Sequence, residues 1–184
     1  MGVPSAVAGD RSADLLVLYD ESVGDVYGYL LARCRNRSVA EDVTSEVFMG
    51  AVDAVTRGRV DDVTTAWLIG IARHKLVDHW RRVERDQRRL TAVAEEPATG
   101  ADDDPWVTQL DVLAARAALE QLGAHHRAAL TLRYLDGLSV PECAAVLDRT
   151  VHATEALLVR AKRAFRDIYE EVAPSPPIRS SSCG

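Results

Sequence analysis

Aromatic residues are scarce in this chain: Phe, Trp and Tyr make up 5% of 184 residues, and Phe occurs only twice. The core must therefore be built from aliphatic and alanine side chains, which favour helix over sheet. No stretch sustains the apolar–polar alternation of a half-buried strand. No apolar run approaches the ~18 residues needed to cross a bilayer, so no membrane insertion is expected. Residues 1–11 lack the charged-then-apolar profile of a secretory signal. The three cysteines, Cys34, Cys143 and Cys183, are too few and too far apart for a disulfide framework or a zinc motif. Together these absences place the chain in the reducing cytoplasm. No glycine-rich phosphate loop occurs. His74 and His79 are five apart rather than the four that aligns two ligands on a helix, and His125, His126 and His152 have no ligand-spaced acid or cysteine. No catalytic group, metal or cofactor is expected, and the enzyme class finds no support.

What remains is a strongly helical pattern with uneven charge. The formal net charge of −6 argues against a simple nucleic-acid binder, because phosphates reward positive charge. The distribution of that charge points the other way. Between Arg73 and Arg89 stand Arg73, Lys75, Arg81, Arg82, Arg85, Arg88 and Arg89 against Asp78, Glu84 and Asp86. Between Thr91 and Asp111 stand Glu95, Glu96, Asp102, Asp103, Asp104 and Asp111, with no Lys or Arg. Basic faces beside an acidic strap fit a protein with more than one partner.

Apolar spacing marks the helices. Leu16, Tyr19, Val23, Val26, Leu30 and Cys34 predict an amphipathic helix over 12–34. Ser38 and Glu41 read as a capping box opening a second helix, whose inner side is Ala40, Val43, Val47, Phe48, Ala51 and Val55. Gly58 and the polar stretch to Thr64 break the pattern. Thr65 opens a third helix with Leu68, Ile71, Ala72, Leu76 and either His79 or Trp80 inward. Acidic, proline-bearing residues 91–110 read as a flexible linker. A second helical unit, the domain over 111–172, is expected to continue through Leu113, Ala117, Leu122, Ala129, Leu132 and Leu135 to a pair of short helices near its end. Residues 1–11 and the Pro/Ser-rich 173–184 are expected to be disordered tails. The fold class is all-α: a bundle over 12–90 and a smaller domain over 111–172.

The most informative segment lies in that second domain. Ser139 and Glu142 form a capping box, and Pro141 sits in the first turn, where a missing N–H costs little. Asp148-Arg149-Thr150 make a short turn, and Thr150 can cap the next helix, which ends in Arg160, Lys162, Arg163 and Arg166. Two short helices with a tight connection, the second basic at its end, read as a helix-turn-helix whose second helix enters the major groove.

Four strings then carry a family resemblance. Leu18-Tyr19-Asp20 through Val26-Tyr27-Gly28-Tyr29-Leu30, Ala40-Glu41-Asp42-Val43-Thr44-Ser45-Glu46-Val47-Phe48, Ala66-Trp67-Leu68-Ile69-Gly70-Ile71-Ala72-Arg73, and the helix-turn-helix with Leu132-Arg133-Tyr134 and Gly137-Leu138-Ser139 resemble, in order and spacing, the extracytoplasmic-function group of bacterial sigma factors. The resemblance covers residues 13–167. It implies a region 2-like first domain, which docks on core RNA polymerase and recognises and melts the minus-ten element, and a region 4-like second domain that reads the minus-thirty-five element.

By that resemblance Glu41, Asp42, Ser45 and Glu46 face polymerase, with Ser45 standing where relatives usually have Gln. Trp67 lies at the upstream edge of the melted bubble or, equally, in the core. The loop over 57–64 is where relatives hold an extruded base. Lys75, His79, Arg81, Arg82 and Arg85 suit minus-ten phosphates, and Asp78 is a surface partner for the nearby arginines. Arg149, Thr150, His152, Ala153, Glu155, Ala156, Arg160, Lys162 and Arg163 face the minus-thirty-five element. Glu155 stands where many relatives are basic and Leu157 where they have Arg, which implies an unusual promoter preference. The linker is either a plain tether or a strap whose acids imitate RNA in the polymerase cleft. The implied partners are bacterial core RNA polymerase, promoter DNA and an anti-sigma factor. The chain is expected to be monomeric when free, since no heptad pattern occurs. A stand-alone helix-turn-helix regulator is the rival reading.

Overall fold

The computed structural model describes residues 6–60, 63–90 and 112–173. Residues 91–110, expected as the linker, and the ends 1–5 and 174–184 lie outside the described residues. The described residues form seven α-helices and one π-helical turn, with no strand among them, in two compact units divided after Thr91.

The first unit packs α1 (Ala6–Cys34), α2 (Arg37–Thr56) and α3 (Thr65–Leu90) on one another. Helix α1 starts six residues ahead of the expected Ser12 and runs through Gly9, with Ala6, Ala8 and Arg11 as good helix formers and no proline after Pro4 to stop it. Its row Ser22, Val26 and Leu30 is fully buried, as the four-residue spacing of a helix face demands. Tyr19, expected inside, is exposed along much of its surface, while its ring meets Phe48 edge-on at 4.7 Å between centroids. From α2 come Ala40, Val43, Val47, Phe48, Ala51 and Val55, and from α3 Leu68, Ala72, Leu76, Val77 and Trp80. Between the two inward candidates on α3, Trp80 takes the core and His79 stays half-buried.

The capping box at Ser38 and Glu41 does not form. Asn36 is the N-cap, its side chain accepting from the Val39 N–H at 3.2 Å, and α2 therefore begins at Arg37. Asn is as strong a cap as Ser, and Arg35 in the left-handed region (φ 52) turns the chain just before it. Glu41 is then one helical turn beyond Arg37 and pairs with its guanidinium at 2.8 Å. Helix α2 ends where Gly58 (φ 65) reverses the chain and the Arg59 N–H reaches the Ala54 carbonyl at 3.0 Å.

The second unit comprises α4 (Val112–Gln121), α5 (Ala124–Leu130) running into a π-helical turn over Thr131–Leu135, α6 (Val140–Leu147) and α7 (Val151–Val172). Ala114 and Ala118 are buried in α4 and join a cluster with Tyr169, Phe165, Ile168 and Val172 of α7. This register turns Leu113 out, since two alanines one turn apart let α7 approach closely. Leu135 is also exposed. The π turn is the cause. The Asp136 N–H bonds the Thr131 carbonyl five residues back at 3.0 Å, so one extra residue rotates Leu135 off the inner face.

The helix-turn-helix forms as its caps dictate. Glu142 accepts from the Ser139 N–H at 2.8 Å while Ser139 accepts from the Glu142 N–H at 3.4 Å. Thr150 caps α7 through the Ala153 N–H at 3.1 Å. Asp148 is left-handed (φ 52), and Arg149 N–H closes the turn onto the Ala144 carbonyl at 3.0 Å. Substituting Ser139→Ala removes the side-chain cap on the Glu142 N–H and the hydroxyl's 2.6 Å bond to the Glu142 carboxylate, which keeps its bond from the backbone N–H of residue 139. The expected loss is about 1 kcal/mol, a fall of roughly 4–8 °C in the melting midpoint of the second unit. Thermal circular dichroism of the full chain checks this, and an unchanged midpoint contradicts it.

Candidate nucleic-acid and polymerase interfaces

Helix α7 offers one continuous exposed face. Its 100° step per residue aligns His152, Glu155, Ala156, Val159 and Arg163, while Thr154, Leu157, Leu158 and Ala161 are buried on the opposite side. Arg149 and Thr150 are exposed at the turn that starts this face, and Arg160 flanks it. Ala153 and Ala156 are half-buried, so they present little more than a methyl group. His152 Nδ1 lies 3.9 Å from Glu155 Oε2. Lys162 leans away, its ammonium 5.6 Å from the centroid of the exposed Tyr134 ring. Val159, 39% exposed between Glu155 and Arg163, belongs to the face but escaped the sequence reading. A valine reads as core, and only the helical spacing from Glu155 and Arg163 marks it as outward.

The Arg133 guanidinium donates to the Leu138 carbonyl at 2.7 Å, tying the π turn to the start of α6. Cys143, fully buried beneath, has its thiol pushed up by burial, which keeps it protonated and inert near neutral pH.

Helix α3 spans 26 residues and carries two charged stripes. The first holds Trp67, His74, Asp78, Arg81, Arg85 and Arg88, which recur at steps close to whole turns. Trp67 is half-buried at the helix start, and its backbone N–H donates to Thr64 Oγ1 at 3.2 Å. Arg81 pairs with Asp78 at 3.6 Å and Arg88 with Glu84 at 3.2 Å, while Arg85 is exposed. His74, weighed from the sequence only as a metal ligand, is exposed one double turn beyond Trp67 on this stripe, and the seven-residue spacing is the signal for that place.

The second stripe holds Lys75, half-buried His79 and Arg82, and it turns toward α2. Glu46 lies between, 3.7 Å from the Lys75 ammonium and 3.4 Å from the Arg82 guanidinium. Three residues singled out for two different partners thus form one cluster. The remaining polymerase-facing candidates on α2 point outward. Glu41, Asp42 and Ser45 are exposed, with Ser45 Oγ donating to the Glu41 carbonyl at 3.1 Å. Exposed Met49 and Val52 continue that face.

Among the described residues, no group of three or more His, Cys, Asp or Glu is arranged to hold a metal ion. No described helix is long and apolar enough to cross a membrane.

Comparison with known proteins gives these faces a context. The family profile of sigma-70 region 2 matches residues 18–86, and that of sigma-70 region 4 matches residues 113–165. The chain is 34% identical over 178 residues to the ECF RNA polymerase sigma factor SigD of Mycobacterium tuberculosis, covering 92% of this chain and 82% of that one. It is 33% identical over 178 residues to the ECF RNA polymerase sigma factor BldN of Streptomyces coelicolor, covering 93% of this chain and 66% of that one. Among solved structures it is similar to the sigma factor RpoE of Bartonella quintana, crystallised with the anti-sigma factor NepR. That match has a TM-score of 0.52 at 20% identity over 88% of this chain and 97% of the other.

Proposed function

We propose, for a chain that belongs to the extracytoplasmic-function group of the sigma-70 family, that it is an alternative initiation factor that brings bacterial core RNA polymerase to particular promoters. The observation that carries this reading is the joining, in one chain, of a three-helix unit with acidic and basic faces and a separate helix-turn-helix with an open second helix. The work is binding rather than catalysis, done in the cytoplasm beside polymerase.

Each face has a role that its chemistry supports. Glu41, Asp42 and Ser45 on α2 meet a basic surface of polymerase, where opposite charge speeds encounter and fixes register. Glu46 contributes from the edge of that face while restraining Lys75 and Arg82. On α3, Trp67 replaces a stacking partner for a base freed by melting, and His79, Arg81 and Arg85 hold backbone phosphates. In the second unit, Arg149, Arg160 and Arg163 grip phosphates around the minus-thirty-five groove while His152, Glu155 and the methyl groups of Ala153, Ala156 and Val159 meet base edges. An anti-sigma factor covering these faces in the resting cell is the further partner. Exposed Met49, Tyr134 and Leu135 give it apolar footholds.

The test is transcription by purified chain and sigma-free core polymerase on promoters of its own genome. Transcript starts sharing two spaced upstream elements support the reading. Tight duplex binding without polymerase, and no starts, would favour a stand-alone regulator. A finer prediction concerns Glu155, a carboxylate that accepts from a cytosine amino group and repels a phosphate. Glu155→Gln shifts minus-thirty-five base preference, with about 1–3 kcal/mol at stake for a good base contact. An unaltered preference across a randomised promoter library removes Glu155 from the reading surface.

A further inference from the structure

Ser22 stands where an aliphatic side chain is the default. It lies in the row with Val26 and Leu30 on the inward side of α1, and all three are 0% exposed. A hydroxyl taken wholly out of water is costly unless it is hydrogen-bonded. Ser22 Oγ meets its partner 2.7 Å away in Thr65 Oγ1, across to another helix.

Thr65 is the first residue of α3. The residue before it, Thr64, caps the same helix, accepting from the Trp67 N–H through its side chain and from the Leu68 N–H through its carbonyl. Three features close together therefore set the start of α3: the Thr64 cap, the Thr65 hydroxyl pinned to α1, and the fully buried Leu68. Trp67 lies inside this short span. Because a helix turns 100° per residue, a slip of one residue at the entry swings the Trp67 ring through that angle.

We propose that Ser22 is a positioning residue for promoter opening: its buried hydroxyl, acting through Thr65, fixes the start of α3 and with it the setting of Trp67. The inference rests on the sigma-factor reading and adds to it a residue that touches neither DNA nor polymerase. The linkage also explains why a polar side chain stands in line with Val26 and Leu30 on the inward side of α1.

The experiment compares wild type, Ser22→Ala, Thr65→Ala, Thr65→Ser and the double alanine variant, each assembled with core polymerase. A fluorescent base analogue in the minus-ten element of a duplex promoter reports opening. Core affinity and transcription from a pre-melted bubble are measured alongside. Ser22→Ala leaves the Thr65 hydroxyl without its buried partner, and the expected result is opening about five- to tenfold slower. Core affinity stays within about twofold, bubble transcription is retained, and Thr65→Ser behaves as wild type. The double variant is no worse than either single one, because the two substitutions remove the same bond. Unchanged opening overturns the proposal. So does a parallel fall in core affinity and bubble transcription, which would mean a general loss of folding, or independent addition of the two single effects. A wild-type chain that opens no promoter and drives no transcription defeats the sigma-factor reading itself and this inference with it.

Discussion

Replacing Asp42 with lysine lowers the affinity for core polymerase roughly 10- to 100-fold, about 1.4–2.8 kcal/mol, while the fold is kept. Asp42 is exposed on α2 and takes part in none of the ion pairs described, so its charge remains available to a partner. Setting a lysine against a basic surface replaces attraction with repulsion, which costs several kcal/mol where like charges meet. The same change on an exposed helix surface alters folding stability by only about 0.5 kcal/mol. The loss should shrink as salt is raised, because the partner charges lie near solvent. Glu46→Lys is a less clean test, since that carboxylate also holds Lys75 and Arg82. Titration of labelled core polymerase with each variant measures the effect, and equal affinity at low salt would move the docking face elsewhere.

Truncating Trp67 to alanine slows promoter opening about 5- to 150-fold, the equivalent of the ~1–3 kcal/mol by which an aromatic ring supports an unstacked base. Trp67→Phe, which keeps a smaller ring, should fall between. The indole is half-buried, so packing contributes as well, and the two roles separate by measurement. A base-stacking ring gives a defect on duplex promoter with wild-type core affinity and a nearly unchanged melting midpoint. A core tryptophan gives a lowered midpoint with a defect that disappears once the folded fraction is equalised. The stripe from Trp67 through His74 to Arg85 lies on one side of α3, an arrangement suited to a strand that leaves the duplex at the ring and runs along the helix.

Local signals made much of this legible. The row Ala40, Val43, Val47, Ala51 and Val55 is buried as its spacing requires, and so are Leu68, Ala72 and Leu76. The caps at Ser139 and Thr150 form as expected, because a cap needs only residues within three positions of it. The errors arise where two local rules compete. Asn36 and Ser38 both suit a helix start, and the left-handed Arg35 favours the earlier one. Leu113 and Leu135 look like core by type, yet the alanine pair at 114 and 118 and the π turn after Leu130 place them outside. No rule of periodicity announces a π turn, since it inserts one residue without changing composition.

By itself, then, the sequence determined the all-helical class, the helix-turn-helix and the charged strings of the family, since caps, periodicity and charge runs act over one or two turns. Only the tertiary structure decided which charges remain available. Glu46 meets Arg82 across 36 residues of chain, and Ser22 meets Thr65 across 43. Pairs so distant are chosen by how α1, α2 and α3 pack, and side-chain reach of a few ångströms carries no trace in the order of residues. The packing thereby separates Asp42, left exposed, from Glu46, drawn inward, although both sit on the same helix and carry the same charge.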